Sequence, residues 1–174
     1  IVLPVLTVTD RLWVSYHSGH AFGFGVRDGR YPIRAMAFVR QQNLPTPVIG
    51  ALGDGGYLLY EGGEKSVFID GRLEVYGSDT VESALRVLSA GQNLTDTLSR
   101  LGVQTAVLRL RMEPVVAVLE ADSRWVPVYF DRSHVVYVQV NAATRAAAER
   151  LGFDWSDPPD REPPVPSHLD PPDG

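Results

Sequence analysis

Cysteine is absent from the 174 residues. Its absence excludes disulfides, thiolate catalysis and cysteine-held metal, and it leaves the redox compartment undetermined. Long apolar runs are missing as well. Stretches such as 35–39 and 115–119 are short, and none approaches the ~20 residues that span a bilayer. There is also no basic excess. The net charge is −5, and residues 154–174 carry all of it, with six acids against the single base Arg161, so that 1–153 balance at zero. A neutral body lacks the cationic footprint that neutralises phosphates, which argues against a nucleic-acid partner. No Gly-x-Ser-x-Gly elbow is present, and no phosphate-binding loop ending in Lys-Ser or Lys-Thr.

What is present is the composition of a packed domain, 44% hydrophobic and 21% charged, at a length that fits one domain. Residues 1–30 read as an irregular lead-in. Its start, Ile1-Val2-Leu3-Pro4-Val5-Leu6, has no basic stretch ahead of it and does not read as a signal peptide. It reads either as the end of a transmembrane helix lying upstream or as an edge strand. Residues 31–153 form the expected domain. Residues 154–174, with seven prolines from Pro158 to Pro172, are expected to be an acidic, extended or disordered tail.

Periodicity predicts a helix from Tyr31-Pro32 to about Gln42, a strand over 47–52 and a Gly53-Asp54-Gly55-Gly56 turn. Tyr57 to Tyr60 is ambiguous between strand and helical turn, and 66–70 is a second strand. A helix over 79–90 follows, capped by Asp79 with Glu82, with Val81, Ala84, Leu85 and Leu88 as its buried face. Next come a short helix capped by Asn93 and stopped by Gly102, a third strand over 105–110, and a helix opened by Glu113-Pro114. Strands over 125–130 and 134–140 flank Asp131-Arg132-Ser133 as a hairpin, and 142–151 is a last helix. Strands alternating with helices predict an α/β fold with a mostly parallel sheet, flanking helices and a C-terminal antiparallel hairpin.

Open parallel sheets bind ligands beyond the carboxyl ends of their strands. Two loops fall there, Gly53-Asp54-Gly55-Gly56-Tyr57 and Asp70-Gly71-Arg72, with Tyr76 close behind. If the strands are neighbours, Asp54, Asp70 and Arg72 converge on one edge and can take a sugar hydroxyl cluster or a cation. The alternative is an Asp70–Arg72 pair with glycines that merely permit tight turns. His17 and His20 lie three apart but have no third ligand, and no metal or cofactor is expected. No Ser/His/Asp set is suggested by context. Trp13, Trp125 and Trp155 are scattered and form no platform legible in the sequence, Trp125 reading as an anchor of the hairpin.

Certain landmarks, taken in order, carry a resemblance. They are Tyr31-Pro32-Ile33-Arg34-Ala35, Gly55-Gly56-Tyr57-Leu58-Leu59-Tyr60, Val67-Phe68-Ile69-Asp70-Gly71-Arg72, Tyr76-Gly77 and the Trp125-to-Asp131 hairpin. Over residues 22–140 the chain resembles the C-terminal soluble region of bacterial polytopic membrane proteins related to dolichyl-phosphate-mannose-dependent glycosyltransferases. It departs from them at Leu52-Gly53-Asp54, where an Asn or Trp is common, and in the helix and tail after Val140. The resemblance implies a domain on the extracytoplasmic face of the cell membrane, periplasmic or extracellular, joined to a membrane-embedded part of the same polypeptide. It also implies that the catalytic acids lie in that other part. The expectation is therefore a non-catalytic accessory domain that contacts an acceptor, a glycan, a lipid-linked sugar or a partner. The rivals are a structural or assembly module without ligand and, last, a free-standing hydrolase.

Overall fold

The computed structural model describes residues 30–63, 66–91 and 93–159. The expected lead-in, with His17, His20 and Trp13, lies outside these residues, as does the tail from 160 onward. Eleven elements follow in order. They are α1 (Ile33–Gln41), β1 (Val48–Gly50), α2 (Leu52–Gly62), a 3-10 turn (Leu73–Val75), α3 (Ser78–Leu88), α4 (Leu94–Arg100), β2 (Thr105–Arg109), α5 (Glu113–Ala121), β3 (Trp125–Phe130), β4 (His134–Gln139) and α6 (Arg145–Leu151).

The four strands form one mixed sheet in the order β1-β2-β4-β3. Only β1 and β2 are parallel, and β4 runs antiparallel to both of its neighbours. The expected mostly parallel sheet is therefore corrected. The physical reason lies in the hairpin. Five of the six β4 residues are buried, so this strand belongs in the interior of the sheet. β3 contains Pro127, which has no N–H to donate, and the pairing slips between Pro127 and Tyr129. Such a strand belongs at an edge. The hairpin thus inserts its second strand beside β2 and leaves its first outside. The expected strand over 66–70 shrinks to a single parallel bridge, Val48 to Val67, held by Val48 N–H on Ser66 O at 2.7 Å and Phe68 N–H on Val48 O at 2.8 Å.

Alternation along the strands feeds two cores. Val107, Val136 and Val138 pack with α1, with Leu58 of α2 and with Ala148 of α6. Ala106, Leu108, Val135 and Tyr137 pack with Val87 of α3, Leu94 and Leu98 of α4 and Val115 and Leu119 of α5. The result is a three-layer sandwich with helices on both faces of the sheet.

Several local expectations change. Gly53-Asp54-Gly55-Gly56 is the first part of α2 and not a turn, and Tyr57 to Tyr60 is helical with it. α3 begins at Ser78 after Gly77, with no side-chain cap bond, so Asp79 sits in its first turn and does not cap it. Leu85, expected to be buried, is 43% exposed, and Val87 takes its place in the core. Asn93 precedes α4 in the left-handed region at φ 60° and makes no side-chain cap.

Candidate functional site

At the sheet edge singled out from sequence, Asp70 pairs with Arg72 as the alternative reading expected, while Asp54 has a partner the sequence did not name. Asp54, in the first turn of α2, is fully buried. Arg109, the last residue of β2, grips it with both arms of its guanidinium. Its Nε donates to Oδ2 at 2.8 Å and its Nη2 to Oδ1. Arg109 Nη2 also reaches Arg30 O at 3.1 Å. The residue facing Arg109 across the β2–β4 ladder is His134, and its Nε2 lies 3.5 Å from Asp54 Oδ2. Burial works to raise the Asp54 carboxyl. The Arg109 guanidinium and the His134 ring outweigh it and hold the group below the usual carboxylate range.

The other side of the His134 ring continues the chain of polar contacts. Its Nδ1 is 2.8 Å from Ser133 Oγ, which donates to Asp131 Oδ1 at 2.9 Å. Asp131 also accepts the Ser133 and His134 amides at 2.7 and 2.8 Å and the Tyr129 hydroxyl at 3.0 Å. This Asp-led turn closes the β3–β4 hairpin. Ser133, His134 and Asp54 thus stand in sequence through space, a set that sequence reading missed because its members are distant in the chain. It differs from a hydrolytic triad in its commitments. Both oxygens of Asp54 are taken by Arg109, and His134 is 1% exposed. The buried His134 Nε2 makes no hydrogen bond, with Asp54 Oδ2 lying 3.5 Å away. In chemical terms the cluster can lock α2, the end of β2 and the hairpin together.

Asp70, 1% exposed, is closed by its neighbour Arg72 in sequence. Arg72 donates from Nε and Nη2 at 3.1 and 2.8 Å to Oδ2, and its backbone N–H reaches Oδ1 at 2.8 Å. The guanidinium, acting against burial, holds the Asp70 carboxyl low. Asp54 and Asp70 do come to adjacent segments, because Gly55 packs directly on Asp70. A Cβ on Gly55 would lie 2.5 Å from Asp70 Cα. Each acid is nevertheless neutralised by its own arginine, and Arg72 does not join Asp54. Of the remaining expected residues, Gly56 is exposed, and Tyr57 is half-buried with its ring 5.7 Å from that of Tyr31. Burial first, then Glu61, pushes the Tyr57 phenol up. Tyr76 is half-buried just after the 3-10 turn. Among the described residues, no three acidic or histidine side chains gather as a metal site.

Two surface cavities lie elsewhere. A groove of about 360 Å³ sits at the carboxyl ends of β1 and β2, between Leu52, Gly53, Leu88, Arg109, Arg111 and Met112. Neither Asp54, Asp70 nor Arg72 lines it. A larger cavity of about 610 Å³ lies between the end of α5, β3, α6 and residues 152–155. Trp125 and Trp155 both line it, so two of the tryptophans that looked scattered in sequence meet here. Phe130, Phe153 and Trp155 meet in tilted and edge-to-face contacts with centroids 5.1–5.5 Å apart. Trp155 donates its indole N–H to Tyr137 Oη at 3.0 Å, and Tyr137 donates to Glu120 Oε1 at 3.1 Å. Trp125, only 3% exposed, keeps its indole N–H without an acceptor.

In comparisons with protein-family models, curated proteins and solved structures, nothing matches the chain significantly. Among the described residues, no helix is long and apolar enough to cross a membrane.

Proposed function

We propose that this chain is a non-catalytic accessory domain of a bacterial membrane protein related to the dolichyl-phosphate-mannose-dependent glycosyltransferases. It sits on the extracytoplasmic face, joined to the membrane-embedded part of the same polypeptide, and contacts a glycan or a partner there. The ordered landmarks from Tyr31-Pro32 to the Trp125-to-Asp131 hairpin support the relationship. One observation carries the non-catalytic reading: the buried acids of the candidate edge are closed, Asp54 by Arg109 and Asp70 by Arg72. A carboxylate held ionised by its own arginine is a poor general acid. The test is incubation of the chain with panels of glycosides and phosphoesters. No turnover above buffer is expected. Turnover that disappears in Ser133→Ala or His134→Ala would reverse the reading in favour of a hydrolase.

The same pairing favours a second reading, a structural or assembly module with no ligand. Saturable binding of a glycan or partner to the isolated chain would separate the two readings.

A further inference from the structure

We infer that the groove at the carboxyl ends of β1 and β2 binds a small organic anion, one carboxylate or phosphoryl group carried on an apolar body. This goes beyond the accessory-domain reading and does not rest on it. Topology places a site there. β1 and β2 are parallel neighbours. The chain leaves β1 through α2, whose Leu58 packs with Val107 on one face of the sheet. It leaves β2 through α5, whose Val115 and Leu119 pack with Ala106 and Leu108 on the other face. Adjacent parallel strands whose following helices go to opposite faces open a crevice beyond their carboxyl ends, where ligands of such sheets bind. The groove of about 360 Å³ occupies that crevice, with Leu52 and Gly53 from the exit of β1 and Arg109, Arg111 and Met112 from that of β2. Its volume lies at the compact end of the roughly 300–1,000 Å³ typical of small-ligand sites.

Charge and wall chemistry set the class. Among the described residues, no Asp or Glu lines the groove and two arginines do. Arg109 commits Nε and Nη2 to Asp54, which is fully buried behind it, so its charge is balanced. Arg111 is exposed and has no hydrogen bond or ion pair among the described residues, which leaves its guanidinium uncompensated. One uncompensated guanidinium matches one anionic group, to which it can donate two parallel bonds, and it repels organic cations. The rest of the wall is largely apolar, through Ala51, Leu52, Leu88 and Met112. An inorganic anion would leave that surface in water, and a neutral apolar molecule would leave Arg111 unanswered. Gly53 keeps the space open, since a Cβ on it would meet nothing within 4 Å.

The test is a titration of the chain with benzoate, butyrate and phenyl phosphate, followed by amide NMR, so that the carboxylate and phosphoryl forms are read separately. Benzyl alcohol, benzylammonium and inorganic phosphate are the controls. At least one of the three organic anions should bind saturably with a dissociation constant on the order of 1 mM, shifting residues 51–53, Leu88 and 109–112. Residues 152–155 should stay still. Each control should bind at least about tenfold more weakly. Arg111→Gln should weaken binding about tenfold and leave the thermal melt unchanged, because the side chain is exposed. Gly53→Glu is the second variant. It places a side chain of the ligand's own charge in the open space of the groove and should abolish saturable binding. No saturable response to any of the three anions at about 50 mM overturns the proposal. So does a control that binds as tightly as the anions, or binding that is unchanged in Arg111→Gln.

Discussion

Asp54 concentrates the electrostatics of this domain in one side chain. Its removal leaves Arg109, 19% exposed, and the buried His134 facing each other without a counter-charge. Breaking such a pair is expected to cost about 3 kcal/mol in Asp54→Ala, read from urea denaturation. Arg72→Ala should cost distinctly less, because Arg72 is 57% exposed and water can replace it beside Asp70. The pH dependence follows from the same groups. Asp54, Asp70 and Asp122, the last bonded by Arg124 Nε and Nη2 at 2.9 and 2.6 Å, all titrate below their unfolded values, so their contribution is complete above about pH 4 and is lost as acid protonates them in the folded state. Thermal melts should therefore be nearly flat near neutrality and fall below about pH 4, with a shallower fall in Asp54→Asn. A steep loss between pH 6 and 7 in the wild type would contradict this assignment. The sequence singled out Asp54 as a candidate ligand-binding residue, and its pairing with Arg109 was not legible there. Nothing local points from residue 54 to Arg109, 55 positions away.

At the scale of the element, α2 is the segment where local preference and tertiary context disagree. Leu52–Gly62 contains four glycines, each costing roughly 1 kcal/mol against alanine in a helix interior. On propensity alone the run reads as a turn. The helix forms because Leu58 reaches the core, Asp54 meets Arg109 and Gly55 allows the backbone to lie against Ile69 and Asp70. Two glycines of this helix should therefore respond oppositely to alanine. In Gly55→Ala the new methyl meets backbone atoms at 2.5–2.9 Å, and a loss of about 2 kcal/mol or more is expected. Gly56 is exposed with nothing within 4 Å, so Gly56→Ala should gain up to about 1 kcal/mol. Equal effects of the two substitutions in denaturant titrations would argue against the packing of α2 described here.

For the whole molecule, the sheet predicts how stability is distributed. β4 is paired on both sides and buried on both faces, and β2 lies beside it. β1 is three residues long, and the segment at Val67 adds only one bridge. Amide hydrogen exchange should be slowest in β2 and β4 and faster in 66–76. Protection of 66–76 equal to that of β4 would mean that this segment belongs to the cooperative centre of the fold.

The sequence by itself determined the layered α/β class, the hairpin around Asp131-Arg132-Ser133 and most helix positions, because turn residues and apolar periodicity act over a few neighbouring residues. It also held an unread signal in Pro127, whose missing N–H marks β3 as an edge strand. Only the tertiary structure decided that β4 enters the middle of the sheet, that the glycine-rich run is a helix, and that Asp54 closes on Arg109 beside His134. It likewise decided that Trp125 and Trp155 share one cavity. These outcomes depend on packing between segments far apart in the chain, where burial and charge pairing outweigh local backbone preference.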